Sequence, residues 1–174
     1  MNSKTRQLVL TALLIALGVV LPQAFHMIPN AGSIFLPMHI PVLVCGFVTG
    51  PVYGLACGIL TPLLSHLLFN MPPTPVLPGM LCELAMYGLV SGLLNSCLTI
   101  ENKTLKIYAV LIGAMLAGRV TYGILNALVF QSATYSFAAW ISAAFVTALP
   151  GIIIQLILIP LLISRLAKAG YVEV

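Results

Sequence analysis

Residues 107–127, IYAVLIGAMLAGRVTYGILNA, contain a single charged side chain, that of Arg119. A helix needs about 20 mostly apolar residues to cross a hydrocarbon core about 30 Å thick, so this stretch predicts a transmembrane helix. Similar apolar stretches recur from one end of the chain to the other. They leave no segment polar enough for a soluble domain and indicate one membrane domain over residues 1–174.

Arg119 limits how this helix can lie in the bilayer. An arginine at the centre of a membrane helix costs about 2.5 to 3.5 kcal/mol on insertion, whereas each Leu, Ile or Val favours insertion by about 0.3 to 0.6 kcal/mol. The aliphatic residues of the stretch together contribute about 2.4 to 4.8 kcal/mol. They are Ile107, Val110, Leu111, Ile112, Leu116, Val120, Ile124 and Leu125. The helix thus inserts with little margin, and we expect Arg119 to face the bundle interior or a watery cavity.

Composition excludes an ordinary soluble protein. Of the 174 residues, 61% are hydrophobic and 6% are charged, against about 25% charged in a typical globular domain. The length allows about six crossings with tight loops. The sequence therefore predicts an all-α integral membrane protein, a compact bundle of six transmembrane helices. Their predicted bounds are 5–25, 36–50, 52–69, 77–99, 104–130 and 136–167.

Glycine and proline mark two points in these spans. Gly50-Pro51 predicts a tight turn that joins the second and third spans into a helical hairpin, because proline disfavours helix in the residue before it. Pro150-Gly151 lies inside the sixth span. Proline removes one helical hydrogen bond there, which predicts a kink.

The basic residues predict the orientation. All but Arg119 lie before span 1, between spans 4 and 5, or at the end of span 6, which six crossings place on one side of the membrane: Lys4, Arg6, Lys103, Lys106, Arg165 and Lys168. The opposite loops, 26–35, 70–76 and 131–135, contain no Lys or Arg. By the positive-inside rule both termini are cytoplasmic. The net charge of +4 thus reflects topology, and no basic patch with interleaved aromatic residues indicates nucleic-acid binding.

Two of the outer loops are apolar and rich in proline. One runs from His26 to Pro41 and the other from Met71 to Gly79. Exposed apolar surface of this kind is costly, which favours lids folded over a cavity. The alternative is that both are ordinary helix-breaking connections.

Glu83 and Arg119 are the two charged residues that lie away from the ends of the predicted spans. Helix geometry places Glu83 about 9 Å below the start of span 4, and Arg119 about 20 Å along span 5 from Lys106. Both then lie in the outer half of the bilayer at similar depth. Two interpretations stay open: a buried ion pair that only locks helix packing, or a role toward a ligand or a gate.

Polar and aromatic neighbours favour a ligand site. Arg119, Tyr122 and Asn126 share one face of span 5 at spacings of i, i+3 and i+7, and Glu83 shares a face of span 4 with Tyr87. The one tryptophan, Trp140, begins span 6. Aromatic walls with a few convergent polar groups suit a small ring-containing ligand. Tyrosine and tryptophan also form belts at membrane interfaces, which is the alternative for Trp140.

Enzymatic classes find little support. His39 and His66 stand in no catalytic-triad or metal-ligand pattern, and the whole chain holds three acidic residues. The G-x-x-x-x-G-K-[ST] loop of ATP-binding proteins is absent. We therefore predict no enzymatic activity, no cofactor and no bound metal. If ATP drives transport, another subunit supplies the nucleotide site.

The chain resembles the substrate-binding S components of energy-coupling factor (ECF) transporters, the vitamin-uptake systems of prokaryotes. The resemblance covers length, six spans, cytoplasmic termini and a proline-containing first loop. Its most specific part is residues 36–54, where LPMHIPVL, CGF and GPVYG follow one another as in the span 2 to 3 hairpin of vitamin-type members. Ala12 and Ala16 match the family's A-x-x-x-A patch, although small residues at this spacing are common at any helix contact.

The resemblance implies high-affinity capture from outside the cell, in a site formed by spans 4 to 6 and capped by the first loop. It implies the plasma membrane of a prokaryote as the location. The partners it implies are one coupling transmembrane subunit, docked on Ala12 and Ala16, and two ABC-type ATPases. It further implies that the whole S component topples in the membrane to release its ligand inside.

The predicted substrate-binding residues are His39, Glu83, Tyr87, Arg119, Tyr122, Asn126 and Trp140. Pyridoxine or a pyrimidine precursor, pantothenate and niacin would all suit a site with one Glu and one Arg. Nickel and cobalt members of the family use a terminal Met-His-Ile with its free amine, whereas Met38-His39-Ile40 is internal here, so no metal role is predicted for His39. The alternative function is a non-transporting membrane scaffold or sensor built on the same bundle.

Overall fold

The computed structural model describes residues 3–25, 30–130 and 136–172, and all regular structure within these ranges is helical. The α-helices are α1 (Ser3–Ala24), α2 (Ala31–Phe35), α3 (His39–Thr49), α4 (Pro51–Phe69), α5 (Leu77–Cys97), α6 (Lys103–Leu125), α7 (Phe137–Ile141) and α8 (Leu149–Lys168). Two π-helical segments, Asn126–Phe130 and Ser142–Thr147, continue α6 and α7. Residues 26–29 of the first predicted outer loop and the whole of the third, residues 131–135, lie outside the described residues.

Six apolar helical stretches are long enough to cross a bilayer: Lys4–Ala24, Ala31–Thr49, Pro51–Phe69, Leu77–Cys97, Lys103–Val129 and Leu149–Lys168. They confirm the predicted all-α fold with six crossings. The predicted hairpin is also confirmed, since a single residue, Gly50, separates α3 from α4. Gly50 has φ 88°, a backbone conformation that glycine adopts easily, and Pro51 begins the next helix.

The second crossing differs from its predicted bounds. It begins at Ala31 and consists of two pieces, α2 and α3, separated by residues 36–38, of which Leu36 has the left-handed conformation (φ 51°). Such a conformation is rare for a branched side chain and interrupts the helix. The Leu36 carbonyl then accepts a hydrogen bond from the His39 N–H at 3.1 Å. This break places His39 at the beginning of α3.

The sixth crossing corrects a second prediction. One kinked helix over 136–167 was expected, but the chain ends one helical segment at Thr147 and begins α8 at Leu149. Pro150 stands in the first turn of α8, where its missing N–H has no intrahelical partner to lose. The proline therefore starts a helix and does not kink one, and α7 with its π-helical extension is a separate short element.

Helices α3, α4 and α5 form the centre of the bundle, with α1 packed on α3 and α4, and α6 packed on α5 and α8. At the α4–α5 contact two glycines face each other. A side-chain carbon on Gly88 would overlap the backbone of Gly54, and one on Gly54 would overlap the Gly88 carbonyl. The two backbones are therefore in direct contact, which only glycine permits.

Helix α1 lies at the edge of the bundle. Ala12 and Ala16 on this helix are exposed. At its amino end, Arg6 donates to the Gly170 carbonyl at 3.2 Å and lies over the Tyr171 ring, 4.7 Å from the ring centre. The beginning of the first crossing and the end of the last thus meet at the same end of the bundle.

Candidate functional site

A cavity of about 470 Å³ opens at the carboxyl end of α1. Its walls come from the α2 region, the beginning of α3, the 71–76 segment, the first half of α5, α6 and the Ser142–Thr147 segment. Most of the lining is apolar, including Phe25, Leu36, Met38, Met71, Pro72 and Met80. The polar side chains on its wall are Asn30, Ser33, His39, Glu83, Arg119 and Tyr122. An apolar chamber with a few convergent polar groups is typical of a small-molecule site.

Three of these polar residues meet in a buried cluster. Arg119 Nη1 lies 3.0 Å from Glu83 Oε1, and His39 Nε2 lies 3.8 Å from the same oxygen. His39, Glu83 and Arg119 are 2%, 3% and 7% exposed, so little water screens the charges and their interaction is strong. The structure thus brings together the two charged residues that the sequence placed at similar depth, and adds His39 from a third helix.

Tyr87 lies behind this cluster. Its ring is fully buried and meets the His39 ring edge to face, with centroids 5.3 Å apart. A side-chain carbon on Gly118 would overlap the Tyr87 ring, so glycine at this position lets α6 approach α5 closely enough for Arg119 to reach Glu83. Tyr87 supports the cluster and lies outside the residues that line the cavity.

Tyr122 and Asn126 extend the polar face of α6 as the sequence predicted, but they occupy different surroundings. Tyr122 lines the cavity. Asn126 is buried, and its Nδ2 donates to the Tyr122 carbonyl at 2.8 Å, within α6. Gly79 of α5 leaves room for both side chains. Asn126 is therefore placed to hold the end of α6 in position.

Trp140 lies beside the cluster on the outer side of α6. Its indole Nε1–H donates to the Arg119 carbonyl at 3.1 Å. The ring lines a second, apolar cavity of about 260 Å³ together with Val120, Gly123, Ile124, Ala127 and Phe137. The structure thus connects Trp140 to the Arg119 backbone and places its ring outside the larger cavity.

Several lining residues were missed by reasoning from the sequence. Met38, Met80 and Ala144 are apolar residues within apolar helices, and nothing in their spacing distinguishes a cavity wall from a packed core. The 71–76 segment was predicted as a possible lid, and the structure gives a reason for its position. His66 Nδ1–H donates to the Pro72 carbonyl at 2.7 Å and holds Pro72 on the cavity wall.

The cluster offers charge and hydrogen bonding but little metal-binding capacity. Among the described residues, no group of three or more His, Cys, Asp and Glu side chains could hold a metal ion. His39 and Glu83 are two such groups, and their neighbour is a cation. The arrangement is chemically suited to recognising a polar organic molecule.

Comparison with known proteins agrees with the architecture. No curated protein and no solved structure matches the chain. The family described as "ECF transporter, substrate-specific component" matches residues 6–163, which is most of the chain and includes every crossing up to the last turns of α8. The chain therefore belongs to the family of ECF transporter substrate-specific components.

Proposed function

We propose that this protein is the membrane-embedded subunit that captures a small water-soluble vitamin or vitamin precursor and works with a coupling membrane subunit and two ABC-type ATPases. The observation that carries the proposal is the buried cluster of His39, Glu83 and Arg119 on the wall of a cavity of about 470 Å³. Charged groups inside a membrane bundle are costly and mark ligand pathways. The family of the chain supports a transport role and argues against an enzyme.

The position of the cavity supports capture from outside. Helix α1 runs from Arg6, beside Tyr171, to Phe25 on the cavity wall. The cavity therefore opens at the end of the bundle opposite to the beginning of α1 and the end of α8. If the basic residues at those ends are cytoplasmic, as the positive-inside rule indicates, the cavity opens to the outside of a prokaryotic plasma membrane.

The cavity also fits the size class of the ligand. Pockets for small organic molecules enclose about 300 to 1,000 Å³, and the cavity lies within this range. His39, Glu83, Arg119 and Tyr122 reach its surface, and we propose that they contact the ligand directly. Tyr87, Asn126 and Trp140 then hold these four in position.

Co-purification tests this proposal. The tagged protein, purified in mild detergent from a membrane that contains the ECF subunits, should bring down one coupling membrane subunit and two ATPases. It should also retain a small metabolite detectable by mass spectrometry. Recovery of the chain alone and without any metabolite would favour the scaffold or sensor function. Uptake that does not depend on the ATPases would also contradict the proposal.

The coupling surface gives a second test. Ala12 and Ala16 are exposed on α1, where small side chains let a partner helix approach closely. Ala12→Leu or Ala16→Leu should abolish uptake and leave ligand binding to the isolated subunit within about twofold. Leu13→Ala, a change at an exposed α1 residue outside the patch, is the matched control. Equal loss of binding and uptake in the alanine variants would assign the patch to internal packing.

A further inference from the structure

The Arg119 side chain has one edge in use and one edge without a partner. Nη1 forms the ion pair with Glu83. Nε and Nη2, which lie on the other edge of the planar guanidinium, make no hydrogen bond to any described residue and are buried. Two parallel N–H donors left unsatisfied inside a membrane protein carry a large desolvation penalty. This geometry calls for an acceptor that the protein itself does not supply.

The Tyr87 hydroxyl is the nearest internal candidate and does not fill that role. It lies at short range from both Glu83 and Arg119, but the geometry to each of them is not that of a hydrogen bond. A single phenolic oxygen also cannot serve two parallel donors. Arg119 lines the cavity, so a bound molecule can supply the missing acceptor once the guanidinium turns its buried edge toward the cavity.

The charges of the cluster indicate what kind of acceptor fits. One carboxylate, Glu83, stands between two basic side chains, with Arg119 at 3.0 Å and His39 at 3.8 Å. Both His39 ring nitrogens are buried and have no hydrogen-bond partner among the described residues. Glu83 already balances the charge of Arg119, so a fitting acceptor has to serve two donors while bringing as little negative charge as possible.

We propose that the ligand carries a carboxylate and that the Nε–H and Nη2–H of Arg119 bind its two oxygens. A carboxylate matches the paired donors of a guanidinium edge in spacing and plane. A phosphate ester would bring a charge of about −1.5 to −2 and would therefore repel the Glu83 carboxylate more strongly than a ligand carboxylate does. The remainder of the ligand packs against the apolar wall formed by Met38, Met80 and Pro72. This inference rests on the proposed binding function and narrows its substrate class.

The first experiment identifies the charge on the bound molecule. Purified protein is denatured, and the released metabolite is weighed before and after acid-catalysed esterification with methanol. A carboxylate-bearing ligand gains one methyl group for each carboxyl. A retained metabolite that has no carboxyl group would overturn the carboxylate proposal and leave the binding function intact, because capture of a ligand would have been demonstrated.

The second experiment measures discrimination between an acid and its neutral counterpart. Calorimetric titration compares nicotinate with nicotinamide and pantothenate with pantothenyl alcohol, for the wild type and for Arg119→Lys. In the pair that binds, the wild type should prefer the acid by at least about 30-fold. Arg119→Lys keeps the charge but loses the paired donors, so its preference should fall at least about tenfold.

The outcomes separate the proposal from its alternatives. Equal affinity for acid and neutral forms, or an acid preference unchanged in Arg119→Lys, would overturn the assignment to the guanidinium edge. Failure of all four probes to bind, together with no acid recovered from the protein, would also overturn it. Phe137→Leu is the control, since this exposed residue lies outside the larger cavity and away from the guanidinium. It should preserve the preference for the acid. Failure to assemble with the ATPases would instead contradict the proposed function itself.

Discussion

The contact between α4 and α5 and the contact between α5 and α6 are built in opposite ways. At the first, Gly54 and Gly88 bring two backbones together with no side chain between them. At the second, charged side chains, Glu83 and Arg119, occupy the space between the helices. The backbones at the first contact cannot move apart or closer without a clash or a gap, whereas the polar side chains at the second contact line a cavity. Helix α5 thus takes part in both: one of its faces packs against the backbone of α4, and another contributes Glu83 to the cavity wall.

The regular and irregular helices are divided between the same two regions of the molecule. Both π-helical segments, Asn126–Phe130 and Ser142–Thr147, lie on the side of the molecule that carries the site. Such segments are rare and occur frequently at functional sites, because they insert an extra residue and redirect the side chains that follow. Ala143 and Ala144 in the second segment line the cavity. The comparison indicates that regular helices pack closely at the centre of the fold, and that the irregular helical segments line the cavities.

The largest effect is expected from filling the fixed contact. Gly88→Ala should destabilise the protein by at least about 4 kcal/mol, because the new carbon overlaps the Gly54 backbone, which cannot turn aside as a flexible side chain can. Unfolding in mixed detergent, followed by circular dichroism, measures the change. Gly113→Ala is the matched control, since the nearest atom to its added carbon is the end of the Leu94 side chain. If the two variants were equally stable, the backbone contact between α4 and α5 would adjust to an added carbon as easily as a flexible side chain does.

An intermediate effect is expected at the charged contact. Arg119→Ala removes the main partner of the Glu83 carboxylate and should lower stability by about 3 kcal/mol, with partial recovery in the double variant with Glu83→Gln. Ligand affinity should fall about 30-fold or more, in line with about 2 to 5 kcal/mol for a lost charged contact. Affinity, unlike stability, should not recover in the double variant. Full recovery of affinity would limit Arg119 to a packing role.

The smallest effect is expected at Trp140, which holds the binding wall from outside the cavity. Trp140→Phe removes the indole N–H that donates to the Arg119 carbonyl, and one hydrogen bond contributes about 0.5 to 1.5 kcal/mol. We expect a modest loss of thermal stability and a decrease of only a few-fold in ligand affinity. Phe137→Leu, at an exposed residue of the same outer cavity, should leave affinity unchanged. A loss as large as that of Arg119→Ala would place Trp140 in direct contact with the ligand.

The sequence predicted the residues whose position depends on the free energy of placing a charge in the membrane. It predicted less well those whose position depends on an unusual backbone conformation. The insertion cost of Arg119 indicated an interior position, and helix rise put Glu83 at a matching depth, so their meeting could be anticipated. His39 was harder to connect to them, because its position depends on the left-handed backbone of Leu36. A leucine gives no signal for that conformation, since most leucines remain helical.

The same limit explains the sixth crossing. A proline within an apolar stretch predicts either a kink or a helix start, and the local sequence does not distinguish them. Helix α8 starts beside Pro150 because the segment before it, α7 with its π-helical extension, turns to line the larger cavity and the second, apolar cavity. That choice depends on contacts between distant segments, such as Gly151 against Ile34 and Phe35.

The contact of Arg6 with Gly170 and Tyr171 has a consequence for the order in which the bundle is made. A short linker can join Arg6 and Tyr171 at this distance, and the chain can be reopened in the 98–102 segment between α5 and α6. All helices would keep their direction through the bilayer, but α6 would then be synthesised first and α5 last. Arg119 would enter the membrane long before Glu83 exists. A circular permutant would therefore show whether α6, with its small margin for insertion, stays inserted in the bilayer before α5 and Glu83 have been synthesised.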